Sequence, residues 1–255
     1  MKKFERHVFS NIKNKKLVGH LYPVNSRKIV IMVSGFCSDK SSEGRFEIYA
    51  HSLGVKNIGT FTFDYSGVGE SDDETINFET NIADLSSAIS YVRSLGYEHI
   101  GLLGNSLGGY FCFKAYTPQI TTIVTTGAPT GPIQYNWSEY FTEEELLEFR
   151  ESGQCSVKSD VPGPRKSIMV DRKMLMDFSE IDQEPVFSKV KCPVLMIHGD
   201  SDSEEVQLYN HAQKTLTYLN AESIISVIPG AAHGFWGFID QVDAQLTDWF
   251  EKFLS

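Results

Sequence analysis

Residues 100–110 read Ile100-Gly101-Leu102-Leu103-Gly104-Asn105-Ser106-Leu107-Gly108-Gly109-Tyr110. The stretch is a short apolar run followed by Gly-x-Ser-x-Gly, and the residues after it can open a helix. A serine on a sharp strand-to-helix turn projects its hydroxyl out of the fold, and flanking glycines let the backbone turn without a Cβ clash. A chance match is the alternative, and the strand-like and helix-compatible flanks argue against it. The pattern predicts that Ser106 is a nucleophile.

Strand-like and helix-like segments alternate on both sides of this turn. A β-hairpin is predicted within residues 4–22, and buried strands are predicted at 28–33, 58–64, 120–126, 193–197 and 223–228. Helices are predicted at 46–53, 79–95, 204–219 and 240–254. Such alternation is typical of an α/β fold with a mostly parallel central sheet flanked by helices. In such sheets, functional side chains gather at the carboxyl ends of the strands.

The alternation stops between residues 129 and 190, a segment too long for a simple connection. A helix is predicted at 142–151, with Thr142 and Glu145 as a capping box, and another near 173–178. Residues 153–164 have the composition of a loop. We therefore expect a core of residues 1–128 and 191–255, and a helical cap, residues 129–190, inserted after the sixth strand.

Composition excludes several classes of protein. The net charge of -10 and the pI near 5.2 argue against a nucleic-acid or anionic-membrane partner, since both would repel the chain. No apolar run approaches the length of a membrane span, and the first residues lack the pattern of a signal peptide. The four cysteines are scattered without metal-ligand spacing, which predicts reduced thiols in a cytoplasmic protein.

A serine hydroxyl needs a base to accept its proton, and the base needs a group that orients it. His233 is the predicted base, because it follows the last predicted strand in a glycine-rich turn. A histidine in a surface loop without a catalytic role is the alternative. His198 also follows a predicted strand, but it precedes the acidic loop and is predicted to stabilise a turn.

The acid that orients the histidine is predicted in the turn after residue 197. Asp202 is the first choice and Asp200 the second, whereas Glu204 and Glu205 are expected to start the next helix, where negative charge is favoured.

A tetrahedral intermediate also needs donors for its oxyanion. The backbone N–H groups of Leu107 and Phe36 are the predicted pair. A plain turn with a packed aromatic ring is the alternative at Phe36.

This ordered set resembles the α/β-hydrolase family, whose triad runs Ser, then Asp or Glu, then His along the chain. The resemblance spans nearly the whole chain and is carried by four motifs: Ser34-Gly35-Phe36, residues 64–71, the Gly-x-Ser-x-Gly motif, and His198-Gly199-Asp200-Ser201-Asp202 with residues 230–235. Within the family the chain is most similar to small carboxylesterases of the cinnamoyl/feruloyl esterase type, which have a comparable His-Gly-x-x-Asp turn and an insertion after the sixth strand.

Two departures from the family pattern stand out. The oxyanion stretch begins Ser34-Gly35 where such enzymes often have His-Gly. The stretch from Asp202 to Val206 is one residue longer than the usual Asp-x-x-Val, which leaves the choice between Asp200 and Asp202 open.

The resulting hypothesis is a carboxylesterase-type serine hydrolase that cleaves small-molecule esters, short-chain or aryl and hydroxycinnamoyl, through an acyl-enzyme without metal or cofactor. Tyr135, Trp137 and Tyr140, with Phe141, either line an acyl or aryl pocket or form the core of the cap. A thioesterase, an acyl-peptide hydrolase, a peroxidase-like use of the triad and a catalytically silent binding protein are the alternatives. The natural ester and the oligomeric state, a homodimer included, are left open.

Overall fold

A computed structural model describes residues 4–159 and 163–254. Its strands are β1 (Glu5–Ser10), β2 (Lys16–Tyr22), β3 (Lys28–Val33), β4 (Gly59–Phe63), β5 (His99–Asn105), β6 (Ile120–Thr126), β7 (Gln154–Lys158), β8 (Ser167–Asp171), β9 (Val194–Gly199) and β10 (Ile224–Ile228). Its α-helices are α1 (Arg45–Val55), α2 (Phe78–Ser94), α3 (Leu107–Lys114), α4 (Glu143–Ser152), α5 (Arg172–Asp177), α6 (Gln183–Phe187), α7 (Ser203–Leu216) and α8 (Ile239–Phe253).

Eight strands form one sheet in the order β1-β2-β4-β3-β5-β6-β9-β10. The predicted hairpin is the antiparallel pair β1 and β2, and β2 pairs antiparallel with β4. All other neighbours in this sheet are parallel. Val33 pairs with Gly104, and Thr126 pairs with both Asn105 and Ile197, so the carboxyl ends of β3, β5, β6 and β9 meet at one edge. This confirms the predicted fold class.

The central strands are apolar because both of their faces are covered. On β3, Ile29 and Ile31 face one apolar cluster, which includes Leu85 of α2, whereas Val30 faces a second cluster, which includes Leu246 of α8. All five side chains are fully buried. This double burial holds the sheet as a rigid base from which the loops at its carboxyl edge project.

The segment between β6 and β9 contains α4, α5 and α6, and also the antiparallel pair β7 and β8. The predicted capping box is present, since Thr142 and Glu145 each accept from the other's backbone N–H. The prediction of a loop over residues 153–164 is wrong at β7 and lies outside the described residues at 160–162. Cys155 pairs with Val170, and Ile76 of the core bonds to the backbone on either side of that residue, at Met169 and Asp171. Pairing with β8, which itself bonds to Ile76, thus overrides the local composition.

Within the described ranges, no helix is both long enough and apolar enough to cross a membrane.

Candidate active site

Ser106 lies on the turn between β5 and α3, with φ 50° and ψ −126°. This left-handed backbone is strained for a residue with a side chain, at a cost of about 1–3 kcal/mol. A Cβ at Gly104 would overlap the backbone of α3, and one at Gly108 would overlap the carbonyl of Val33. The two glycines of the motif are therefore required by close packing. The turn is also held to β6, because the Ser106 N–H donates to the carbonyl of Thr126 at 2.8 Å.

The side chains of Ser106 and His233 are in hydrogen-bonding contact. Ser106 Oγ lies 3.0 Å from His233 Nε2, although 127 positions separate the two residues. The His233 side chain is about a quarter exposed (26%), so the pair is open to solvent on one side. A carboxylate on Nδ1 assigns the ring proton to that nitrogen, which leaves Nε2 free to accept from the serine hydroxyl.

That carboxylate belongs to Glu205, which corrects the expectation for Asp202. Glu205 Oε1 lies 2.6 Å from His233 Nδ1, and the Glu205 side chain is fully buried. Asp202 contacts backbone instead: Oδ1 accepts the N–H of Glu205 and Oδ2 accepts the N–H of His233, both at 2.7 Å. The second choice, Asp200, accepts the backbone N–H of Gly230 at 2.6 Å.

Helix geometry explains the exchange of roles. Asp202 is the N-cap of α7, and the short side chain of an N-cap residue folds back onto the first free N–H groups of its helix. Glu205 is the third residue of α7, as expected from its place in the sequence. Side chains in the first turn lean toward the helix N-terminus, and a glutamate is long enough to reach past the cap to the edge of the sheet. The sequence signal was the extra residue before Val206, which places a glutamate at the third helical position.

His198, for which the sequence predicted only a role in stabilising a turn, also lies beside Glu205. Its ring is fully buried, and Nδ1 lies 3.2 Å from Glu205 Oε2. The Gly199 N–H donates to the same oxygen at 2.9 Å. His198 therefore contacts the carboxylate that pairs with His233.

Gly127 provides the space for this pair at the end of β6. Its φ is +57°, and a Cβ there would lie 2.5 Å from Glu205 Oε1 and 3.0 Å from His233 Nδ1. A side chain at this position would therefore displace either the carboxylate or the imidazole.

The charges of the site stabilise one another. Burial alone would raise the pKa of Glu205, but hydrogen bonds from His198 and His233 lower it to about 2. Burial alone would lower the pKa of His233, but the bond to Glu205 and the negative charges of Glu204, Glu205 and Asp202 raise it above its ordinary value. The site therefore stabilises the imidazolium that forms when His233 accepts a proton, beside an ionised Glu205.

The loop after β3 lies directly against Ser106. A Cβ at Gly35 would lie 3.2 Å from Ser106 Cβ, and the predicted oxyanion donor Phe36 is the next residue. The other predicted donor, Leu107, follows Ser106 as the first residue of α3, whose N–H has no partner within its helix. Leu107 is thus next to Ser106 in the chain, and Phe36 follows Gly35, which lies against Ser106. The role of their N–H groups in binding an oxyanion remains a prediction.

Two interactions hold this loop in the absence of the family's histidine. Ser34 Oγ donates to the carbonyl of Ser38 at 2.9 Å. The backbone N–H of Lys40 donates to Asp64 Oδ1 at 2.8 Å, and its Nζ contacts Oδ2 at 2.6 Å. Since Asp64 is fully buried, this ion pair fixes the base of the loop.

The three predicted pocket residues pack mainly against one another. The ring centroids of Tyr135 and Trp137 are 5.0 Å apart, and those of Trp137 and Tyr140 are 5.9 Å apart. Tyr135 also donates to Glu204 Oε1 at 2.8 Å, next to the site, whereas Tyr140 is 54% exposed. These contacts favour the reading in which the aromatic residues form the core of the cap.

The same aromatic cluster reaches the active-site loop. Phe178 packs on Tyr135 and Trp137 and, at a centroid distance of 6.4 Å, on Phe36. The buried ring of Phe178 therefore connects the aromatic residues of the cap to Phe36. Among residues 4–159 and 163–254, no group of three or more His, Cys, Asp or Glu side chains is arranged to hold a metal ion.

Comparison with known proteins gives a family match over residues 24–174, more than half of the chain, to the family described as serine aminopeptidase, S33. The uncharacterized protein YfhR of Salmonella typhi is 38% identical over 185 residues, which is 71% of this chain and 56% of YfhR. An uncharacterized 31.7 kDa protein from the traX-finO intergenic region of Escherichia coli is 24% identical over 262 residues, covering 89% of this chain and 91% of its own.

Solved structures share the fold. Est1E from Butyrivibrio proteoclasticus, solved with ferulic acid bound, superposes with a TM-score of 0.76 at 18% identity, over 97% of this chain and 99% of Est1E. At this identity the likeness concerns the fold alone.

Proposed function

The chain belongs to the serine aminopeptidase S33 family of α/β-hydrolases, and on that premise we propose that it is a serine hydrolase that cleaves carboxylic esters through an acyl-enzyme on Ser106. The observation that carries the proposal is the continuous chain of hydrogen bonds from Ser106 through His233 to Glu205, at 3.0 and 2.6 Å. Nucleophile, base and orienting acid in hydrogen-bond contact is the arrangement that serine acyl transfer requires.

In the first half-reaction, Ser106 Oγ bonds to the ester carbonyl carbon while its proton passes to His233 Nε2. The N–H groups of Leu107 and Phe36 hold the developing oxyanion. His233 then gives the proton to the departing alkoxide, the carbon–oxygen bond breaks, and the acyl group stays on Ser106. Glu205 stabilises the imidazolium in both steps and keeps the ring proton on Nδ1.

In the second half-reaction, His233 accepts a proton from water as the water oxygen attacks the acyl carbon. The tetrahedral intermediate collapses, Ser106 recovers its proton and the carboxylic acid leaves. These steps use the side chains described above and the two backbone N–H groups.

Peptide-bond cleavage at a free amino terminus is the second candidate. The matched family is described by that activity, and the same triad serves amide and ester substrates. The acidic groups beside the site, Glu204 and Asp202, would attract a substrate ammonium group. Short-chain esters and aryl or hydroxycinnamoyl esters are both candidate substrates, and the test below distinguishes them.

The test is hydrolysis of p-nitrophenyl esters from acetate to decanoate, of a hydroxycinnamoyl ester and of aminoacyl p-nitroanilides. It compares the wild-type protein with Ser106→Ala and with Ser90→Ala, an exposed serine of α2. We expect ester turnover that is lost only in S106A, together with a covalent fluorophosphonate adduct on Ser106. Faster cleavage of anilides than of esters would support the peptidase candidate. A folded wild-type protein that neither turns over any substrate nor reacts with the probe would refute the proposal.

A further inference from the structure

The Glu205 carboxylate is bonded on both of its oxygens, and the mechanism above uses only one of them. Oε1 faces His233, whereas Oε2 lies between His198 Nδ1 at 3.2 Å and the Gly199 N–H at 2.9 Å. We propose that His198 is a positioning residue, whose Nδ1–H holds Oε2 so that Oε1 is presented to His233. This inference rests on the proposed function only for its effect on turnover.

A glutamate in this role needs more support than an aspartate. It has one more rotatable bond, and its terminal torsion is broad rather than confined to narrow wells. One donor on Oε2 would leave the carboxylate free to rotate about that contact. Two donors from consecutive residues at the end of β9, with His233 on the other oxygen, fix its plane. Because β9 lies between β6 and β10 in the sheet, these donors are attached to a rigid part of the fold.

The surroundings of His198 define which of its two ring nitrogens carries the proton. The ring is fully buried, and among the described residues its Nε2 has no hydrogen-bond partner. A proton on Nε2 would place an unpaired N–H in an apolar environment, which costs more than leaving a lone pair there. Nδ1 is therefore the ring nitrogen that carries a proton, and His198 donates it to Glu205 Oε2.

The hydrogen bond from His198 is also one of the causes that hold the pKa of Glu205 near 2 despite burial. Without this donor, the negative charge of the Glu205 carboxylate would be less neutralised and would interact more strongly with His233. The imidazolium of His233 would then be more stable, and its pKa would rise. The other groups acting on His233 are Glu204 and Asp202, which the change leaves in place.

Asparagine and leucine form a matched pair of replacements. The amide nitrogen of asparagine occupies the position of imidazole Nδ1, whereas leucine has the same branched shape and no donor. Both remove the same part of the ring, so both leave a similar cavity. His198→Asn should keep kcat within a few-fold of wild type. His198→Leu should lower kcat by about 10- to 100-fold, the usual effect of removing a supporting partner, with little change in KM.

The pH profile separates positioning from packing. In H198L the acidic limb of kcat/KM should move to higher pH, whereas in H198N it should stay with the wild type. Equal losses in both variants, with unmoved acidic limbs, would overturn the inference and leave His198 a packing residue. If H198L does not fold, His198→Phe fills the ring volume without a donor and takes its place.

A second readout does not depend on turnover. The proton between His233 Nδ1 and Glu205 should give a far-downfield NMR resonance, assigned by its loss in His233→Gln. We expect this resonance to shift or broaden in H198L and to persist in H198N. If the resonance shifts in H198L but the wild-type protein has no hydrolase activity, the positioning role is supported and the proposed function is refuted. A resonance that is unchanged in H198L would refute the positioning role.

Discussion

Asp202 Oδ2 accepts the backbone N–H of His233 at 2.7 Å, so this carboxylate holds the loop that carries the histidine and not its ring. Its other oxygen caps α7 through the N–H of Glu205. The two acidic residues therefore have separable tasks. Asp202 fixes where the backbone of His233 lies, and Glu205 fixes how its ring is oriented.

Substitution separates these tasks. Glu205→Gln should lower kcat by about 10³- to 10⁴-fold, the scale expected when the acid that sets the histidine tautomer is lost. Asp202→Asn should have a smaller effect on kcat, because its one carbonyl oxygen still caps α7 and only the bond to the backbone N–H of His233 is lost. The measurement is steady-state kinetics with circular dichroism of each variant. A greater loss of kcat in D202N than in E205Q would return the orienting role to Asp202.

The acidic limb of the activity profile should lie above the ordinary pKa of histidine, near 6.5. His233 must be neutral to accept the serine proton, and its pKa is raised. Glu204→Gln removes one of the charges that raise it, so the limb should move to lower pH, by less than about one unit because water and salt screen a partly exposed charge. The measurement is kcat/KM between pH 5 and pH 9, and an unmoved or higher limb in E204Q would contradict it.

Glu205 should also make folding sensitive to acid. Its pKa is about 2 in the folded protein and about 4.5 ordinarily, so its stabilising contribution is complete above pH 4.5 and is lost as the pH falls toward 2. The melting temperature of the wild-type protein should therefore fall over this range more steeply than that of E205Q. If the melting temperatures of the two proteins depend on pH in the same way, the hydrogen bonds to Glu205 do not lower its pKa in the folded protein.

Gly127→Ala should disrupt the site through one added carbon. The new Cβ would lie 2.5 Å from Glu205 Oε1, and the backbone there has φ +57°. We expect a loss of activity of at least about 100-fold with a destabilisation of about 1–3 kcal/mol. Gly153→Ala is the matched control, since its φ is +79° but nothing lies within 4 Å of its Cβ position. That variant should carry backbone strain alone and keep its activity, so equal losses in both would assign the effect to strain.

Lys40→Met should destabilise the protein by about 3–5 kcal/mol, because it leaves Asp64 buried without its cation. Lys40→Met combined with Asp64→Leu should recover much of the stability lost in the single variant. The measurement is urea unfolding followed by fluorescence. If the single variant is as stable as the wild type, this ion pair does not hold the loop that carries Phe36.

The fold was readable from the sequence because its central strands are apolar on both faces and because strand-like and helix-like segments alternate along the chain. The turn at Ser106 was readable for a similar reason, since its glycines are imposed by local packing that any such turn must meet. Strand β7 was missed because it depends on pairing with β8, in which Lys158 lies beside Ser167. Strand β8 is in turn held by a bridge from Val170 to Ile76. The residues of β7 themselves have little strand preference.

The exchange of Asp202 for Glu205 was missed for a different physical reason. Asp202 lies in the turn after β9 and Glu205 in the first turn of α7, as the sequence indicated, but the N-cap role of Asp202 was not predicted. What decides their roles is side-chain length and direction, which depend on where the helix sits against β9. The contact of His198 with Glu205 follows from the same placement. The sequence predicts His198 in a turn and Glu205 in a helix, and it gives no sign that their side chains meet.

Strands β6 and β9 are direct neighbours, from Ile123 beside Val194 to Thr126 beside Ile197. Residues 127–193 therefore form an insertion whose two ends lie side by side on neighbouring strands of the sheet. The entropy of closing such a loop grows only slowly with its length. This segment can thus be lengthened, shortened or rebuilt while β6 and β9, at whose ends Gly127 and His198 lie, keep their register.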